Sequence, residues 1–371
     1  MKIIGEGNVT NGKEGTAISS CTFPGVCVMP GGRMAMCFKG SPKKGPLDGQ
    51  NGYVCHSGDM GETWGAPVAP FPGRFTHEGR EASFRGIYLT HIAGARVLAV
   101  MPAVYEGAEG TPYYNEATEG ILDTDIFFAH SDDYGHTFTA PRRMETGFFM
   151  PVPLTGPVIL LPDGRLMCQF ELNKKYDDLS PWVHSSVVIF SRDGGHTWGD
   201  RTVVTKNPSI YYWDQRIGLL NDGRLLDLFW TFDRETADYL TIHARDSLDG
   251  ISWSPIWDTG LPGQPGQPAS AGGGRTAVIY IDRSGSPKIS VKFSADNGHT
   301  FLPGELTVYD SQLHSQKTDK GSMNDAWAEM SAFSVGHPNL AALPGGLLYA
   351  YYYAGGHTDR TDIRWAKISA D

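Results

Sequence analysis

Three short segments carry side chains able to do chemistry. In Tyr211-Tyr212-Trp213-Asp214-Gln215-Arg216, a carboxylate and a guanidinium stand two residues apart beside aromatic rings. Such a carboxylate can act as a base or assist a nucleophile, and Tyr212 and Trp213 can face a sugar ring. The same spacing also suits an internal Asp214–Arg216 brace. His337, in Ser334-Val335-Gly336-His337-Pro338, titrates near neutrality and suits a general acid or base, or a buried histidine bonded to backbone. Arg85, in Ser83-Phe84-Arg85-Gly86, suits an anionic group through its planar fork, or a structural ion pair. Another carboxylate, Asp48, lies in the Gly-rich loop 45–52.

The elements that must position these groups are legible as repeats. Four segments read S-x-D-x-G-x-T-aromatic, beginning at Ser57, Ser131, Ser191 and Ser294; a fifth, Ser247 to Trp253, is one residue short. Ser and Asp side chains close tight turns on backbone amides, Gly supplies a positive φ, and the aromatic ring anchors the hairpin. Asp59, Asp133, Asp193, Asp249 and Asp296 are therefore expected to be turn staples. His136, His196 and His299 share one repeat position and are expected to be exposed there. Upstream of the boxes recur hairpin turns between apolar runs: Met29-Pro30-Gly31-Gly32, Leu161-Pro162-Asp163-Gly164, Leu220-Asn221-Asp222-Gly223, Gly272-Gly273-Gly274 and Leu343-Pro344-Gly345-Gly346. Ile92-Ala93-Gly94 fills the remaining slot loosely. Each unit then holds four strands. This predicts an all-β, six-bladed β-propeller of four-stranded antiparallel blades spanning 1–371 as one domain. The apolar N-terminus, Lys2–Val9, is expected to close blade six as its outer strand.

Counting nine residues back from each hairpin glycine reaches the start of an inner strand. The positions are Phe23, Arg85, Thr155, Asp214, His337 and, through the shortened hairpin, Gln267. Polar groups at strand starts that converge on one axis would form a pocket. Asp214, His337 and Asp48 are the catalytic candidates. Arg85, Arg216, Thr155, Gln267, Trp213 and Tyr212 are the substrate-binding candidates.

Boxes at this frequency on a six-unit chain resemble the sialidase (neuraminidase) superfamily, over essentially the whole length. That resemblance implies an arginine triad gripping a carboxylate, a tyrosine nucleophile assisted by a glutamate, and an aspartate acid/base. Here Thr22-Phe23-Pro24 stands where the family's first arginine is expected. Asp214 takes the place of the assisting glutamate, His337 that of the tyrosine, and Asp48 that of the acid/base. Phe229-Trp230 holds no second arginine, and Arg275 is the blade-five candidate, in an ordinary hairpin slot. The resemblance therefore implies a divergent member and not a standard exo-α-sialidase.

The bulk composition agrees with a turn-rich soluble fold. Gly (46) and Pro (24) make about 19% of the 371 residues, above the roughly 12% of average usage. A net charge of −10 argues against nucleic-acid or membrane-surface partners. The five cysteines include no C-x-x-C pair and are expected to be reduced and buried. No metal and no cofactor are expected. The N-terminus has no apolar leader, so the chain as given reads as cytoplasmic, or as secreted if a leader has been removed. The expected partner is a carbohydrate. The leading reading is a glycoside hydrolase-like enzyme on a polar or acidic sugar terminus in an axial pocket. The alternatives are a uronate-glycan lyase, or a non-catalytic glycan- or protein-binding propeller.

Overall fold

The computed structural model of the protein describes residues 1–12, 14–45 and 49–370. It is built almost wholly of antiparallel strands, and its one described α-helix is Met323–Ala332. No described helix is long and apolar enough to cross a membrane. The chain divides into two compact units: an early one, Gly12–Pro208, and a late one, Met1–Asn11 with Ser209–Asp371.

In the early unit, Ser20–Val28, Met34–Ser41 and Asn51–Ser57 pair in sequence order. Next, Arg80–Phe84 and Tyr88–Ala93 both pair with Arg96–Tyr105, which pairs with Thr124–Ser131. Then follow Ile159–Leu160, Leu166–Leu172, Ser185–Ser191 and Gly199–Lys206. Leu166–Leu172 and Ser185–Ser191 are buried at every residue. That is what a strand sandwiched on both faces requires, and it explains runs that lack period-two alternation. Val54, Phe84, Val100, Phe127, Phe170 and Ile189 belong to one continuous apolar cluster. All five cysteines are buried free thiols in this unit.

In the late unit, Ile210–Leu219, Leu225–Asp233, His243–Ser247 and Trp257–Asp258 form one sheet. In the next, Gln264–Pro265 and Ala269–Ala271 both pair with Arg275–Asp282, followed by Lys288–Ser294 and Leu306–Asp310. The last carries Val335–Ala342, Leu348–His357 and Arg360–Ser369. Against Arg360–Ser369 lies Lys2–Asn8, in a ladder from Lys2↔Ser369 to Asn8↔Arg364.

The S-x-D-x-G-x-T segments share one bonding pattern. Ser57 Oγ donates to Asp59 Oδ1 (2.7 Å) and accepts from the Gly61 N–H (2.9 Å). Asp59 accepts from the Thr63 N–H (2.9 Å) and the Thr63 hydroxyl (2.6 Å). Ser131/Asp133, Ser191/Asp193 and Ser294/Asp296 repeat it. In the short segment, Ser247 Oγ reaches Gly250 N–H, one residue earlier. The three box histidines are exposed, yet each stacks on a ring: His136 on His56 (4.0 Å), His196 on His130 (4.4 Å) and His299 on Trp257 (4.0 Å).

Every inner strand is broken at the place counted back from its hairpin. The ladders slip between Thr22 and Gly25, Trp213 and Arg216, and Gly336 and Asn339. Elsewhere the strand stops and restarts, at Phe84 to Tyr88 and Pro265 to Ala269. In the third sheet a lone Leu154↔Phe170 bridge precedes Ile159–Leu160.

Candidate functional site

The three slips place Phe23, Asp214 and His337 in the left-handed region, at φ 53°, 51° and 52°. A non-glycine residue held there costs on the order of 1–3 kcal/mol and persists only where its surroundings over-determine it. A bulge also re-aims one side chain out of the pleat. Asp214 and His337 both lie in the late unit, and the structure joins them through one guanidinium.

Arg216 Nη2 lies 3.3 Å from Asp214 Oδ1 and 2.5 Å from His337 Nε2. An arginine can only donate, so His337 Nε2 is an acceptor and unprotonated. Burial first, then the charges of Arg216 and Arg283, hold its pKa well below the usual histidine range. The ring lone pair that a general base would use is already engaged by Arg216. His337 therefore fixes Arg216 in place.

Asp214 is the open member: its side chain is 30% exposed, against 4% for Arg216. Its Oδ2 accepts from Gln264 Nε2 at 2.6 Å. Gln264 Oε1 in turn accepts from Arg283 Nη1 (3.0 Å), and Arg283 Nη2 donates to the Val335 carbonyl (2.9 Å). Arg283 is buried and lies 3.8 Å over the Phe333 ring. Tyr353 completes the group. Burial pushes its phenol up to about 12, with Arg283 opposing and Asp214 adding to the rise.

A cavity of about 180 Å³ adjoins this network, lined by Trp230, Tyr239, Gln264, Arg283, Glu329 and Phe333 among others. Glu329 and Phe333 come from the insertion before the last sheet. Its helix is capped by Ser322, whose side chain accepts from the Asp325 N–H. Glu329 Oε2 accepts from both Thr318 groups and pairs with Lys320 at 3.0 Å, each side chain 1% exposed.

The other candidates take varied places. Trp213 stacks on Phe232 (4.9 Å) and Tyr212 packs edge-on against Phe229 (5.4 Å); both are only 7% exposed and back the bulge from the core. Gln267 works through its backbone, whose N–H donates to Asn339 Oδ1 (2.8 Å). Arg275 Nε donates to the Gly272 carbonyl within its hairpin (2.9 Å). In the early unit, Thr155 is buried, and its N–H donates to the Gln169 carbonyl (3.4 Å). Arg85 lies over the Tyr113 ring at 4.1 Å. Asp48 lies outside the described residues.

No protein-family model and no curated protein matches the chain. Solved structures do. A Dyadobacter fermentans protein of unknown function aligns at TM-score 0.73 and 14% identity, over 99% of this chain and 98% of its own. The intramolecular trans-sialidase of Ruminococcus gnavus, in complex with oseltamivir carboxylate, aligns at 0.65 and 14%, over 97% of both chains. The α-L-arabinanase of Penicillium chrysogenum, complexed with arabinobiose, aligns at 0.64 and 13%, over 100% of this chain and 99% of its own. The fold is that of the sialidase-like propellers.

In this propeller, reading back from the hairpins finds the bulges but misses Tyr353, Gln264 and Arg283. One signal was available. Seven residues forward from the hairpin glycines lie Lys39, Met101, Glu171, Trp230 and Tyr353. Three of these are the register partners of residues beside the slips: Thr22↔Lys39, Trp213↔Trp230 and Gly336↔Tyr353. Arg283 has no such marker; it follows a shortened hairpin, two residues beyond the equivalent place.

Proposed function

We propose that the chain is a glycoside hydrolase-like enzyme acting on a polar or acidic sugar terminus, with Asp214 as its working carboxylate. One observation carries this reading: Asp214 is lifted out of the sheet on a left-handed bulge, partly open, with both oxygens oriented by donors. Placement of that kind is what general-base work or assistance to a nucleophile needs. Tyr353 is the neighbouring group to be assisted. Its phenol is too weak an acid to ionise unaided near neutrality. Asp214, whose charge acts on that phenol, is the carboxylate proposed to take its proton. Arg216 and Arg283 supply positive charge for an anionic substituent, and His337 keeps Arg216 aimed. The same reading counts six blades, with Lys2–Asn8 as the outer strand of the last, and takes the S-x-D-x-G-x-T segments as Asp boxes. It is not a standard exo-α-sialidase, because Thr22 stands where the first arginine of such enzymes is expected.

The test is turnover of a panel of chromogenic glycosides, neutral and acidic. Asp214→Asn should abolish release of the chromophore, and Tyr353→Phe should reduce it strongly, while circular dichroism is unchanged. Full activity in both variants would remove Asp214 and Tyr353 from the chemistry. A second reading, a uronate lyase, draws on Tyr353 beside Arg283: a phenol to take the C5 proton and a cation to neutralise the carboxylate. It predicts a product with a new double bond and ultraviolet absorbance, which hydrolysis does not form.

A further inference from the structure

We propose that Lys39 and Arg85, in the early unit, form an oxyanion site whose ligand is the carboxylate of a sugar acid. The sugar part of that ligand rests on the carbohydrate reading above; the oxyanion part does not. Lys39 is 2% exposed and stands in register between Thr22 and Gly52. Two glycines bring Arg85 up to it. A Cβ on Gly52 would fall 2.8 Å from Ile87 and 3.0 Å from the Gly86 backbone. A Cβ on Gly86 would lie 3.8 Å from that of Lys39. The segment 85–87 is thus pressed onto the strand that carries the lysine.

Among the described residues, no carboxylate pairs with either cation. Arg85 faces the Tyr113 ring, and Glu171, whose charge also reaches that tyrosine, lies 3.3 Å from His184. Polar atoms around Lys39 also lack partners. Thr22 Oγ1 and Gln50 Oε1 are buried with no hydrogen bond, although Gln50 Nε2 donates to Ser83 Oγ at 2.9 Å. Two buried cations raise each other's cost, and a buried polar atom without a partner adds to it. An oxyanion at this place answers both cations and accepts from the Thr22 hydroxyl. The Gln50 oxygen is left to receive a sugar hydroxyl. Burial, then the charges of Arg85 and Lys44, hold the Lys39 amine well below its usual range. A bound anion acts in the opposite direction and favours the charged amine.

Titration calorimetry of the full chain at constant ionic strength, with sodium glucuronate, sodium sulfate and glucose, tests this. Glucuronate should saturate, more tightly than glucose or sulfate. Lys39→Met and Arg85→Gln should each weaken it by about ten-fold or more. Lys39→Arg, which keeps a cation at this position, should keep binding. If Lys39→Met does not fold, Arg85→Gln and Lys39→Arg make the same comparison. Saturation by sulfate alone overturns the sugar-acid assignment. No saturation by either anion, or affinity unchanged in the variants, overturns the site. Lys39-dependent binding without turnover of any glycoside would leave this site standing and sink the hydrolase reading; Asp214-dependent turnover without such binding would do the reverse.

Discussion

At the broken strands of the late unit, charge is answered by charge. Asp214 meets Arg216 directly and Arg283 through Gln264, and His337 accepts from Arg216. At the equivalent places of the early unit, Lys39 and Arg85 stand together with no described carboxylate paired to them. The first arrangement is pre-organised in the free protein, so it can hold a reacting group still. The second has no carboxylate partner among the described residues, and on the proposal above a ligand supplies that charge. On the two proposals made above, the surroundings of the broken inner strands would serve a chemical step in the late unit and recognition in the early one.

The largest expected effect would break that division. Asp214→Asn should lower kcat by about 10²–10⁴-fold with little change in KM, the range typical of losing a positioned base. Lys39→Met should instead weaken glucuronate binding and spare kcat. Steady-state kinetics in which both variants lose kcat alike would show that the two units do not divide the work.

Glycine replacements sharpen the same contrast. A Cβ on Gly336 would sit 2.7 Å from both the Arg283 guanidinium and the Tyr353 hydroxyl. Gly336→Ala should cost about 1–3 kcal/mol of stability by overpacking, measured by denaturant unfolding, and should lower kcat. Gly52→Ala, which pushes segment 85–87 away from Lys39, should weaken glucuronate binding and leave kcat less affected. The reverse pattern would exchange the roles assigned to the two units.

The smallest effect should be equal in both units. Burial raises Asp133 and Asp296, but hydrogen bonds from Thr137 and Ser131, and from Ser294 and Thr300, bring each down to about 2. Both are depressed below the unfolded value near 3.9. Their stabilisation is therefore present above about pH 4 and is lost as pH falls toward 2. Asp133→Asn and Asp296→Asn should each flatten the acid limb of Tm against pH by a similar, modest amount. These groups are largely exposed, so each contributes on the order of 1 kcal/mol or less. Unequal slopes would mean that the two units unfold separately in acid.

Much of this was legible because turn chemistry is local. Hairpin glycines and S-x-D-x-G-x-T segments announce themselves within eight residues, and counting back from them lands on Phe23, Asp214 and His337. All three are left-handed. Groups on the second strands were harder to see. Tyr353 ends the run Tyr351-Tyr352-Tyr353, and Lys39 follows Cys37-Phe38, so each reads as part of an apolar strand. The aromatic candidates behave differently. Tyr212 and Trp213 look like sugar platforms in the sequence, but as consecutive strand residues they face opposite sides of the sheet, and each is buried there, against Phe229 and against Phe232. The box histidines are exposed, as their turn position implies; their stacking partners come from other strands and carry no local mark.

The resemblance to sialidases placed Thr22 where an arginine was expected. Register sets Lys39 directly across from it, on the neighbouring strand.

The sequence by itself determined the repeated hairpins, the stapled turns and the sites where inner strands break. Those depend on backbone dihedrals and bonds between near neighbours. Tertiary structure alone decided what the broken positions do. It turned His337 into an acceptor for Arg216, put Tyr353 in the field of Asp214, and set Lys39 beside Arg85. Protonation, orientation and charge balance depend on groups tens of residues away in the chain, and only packing brings those groups together.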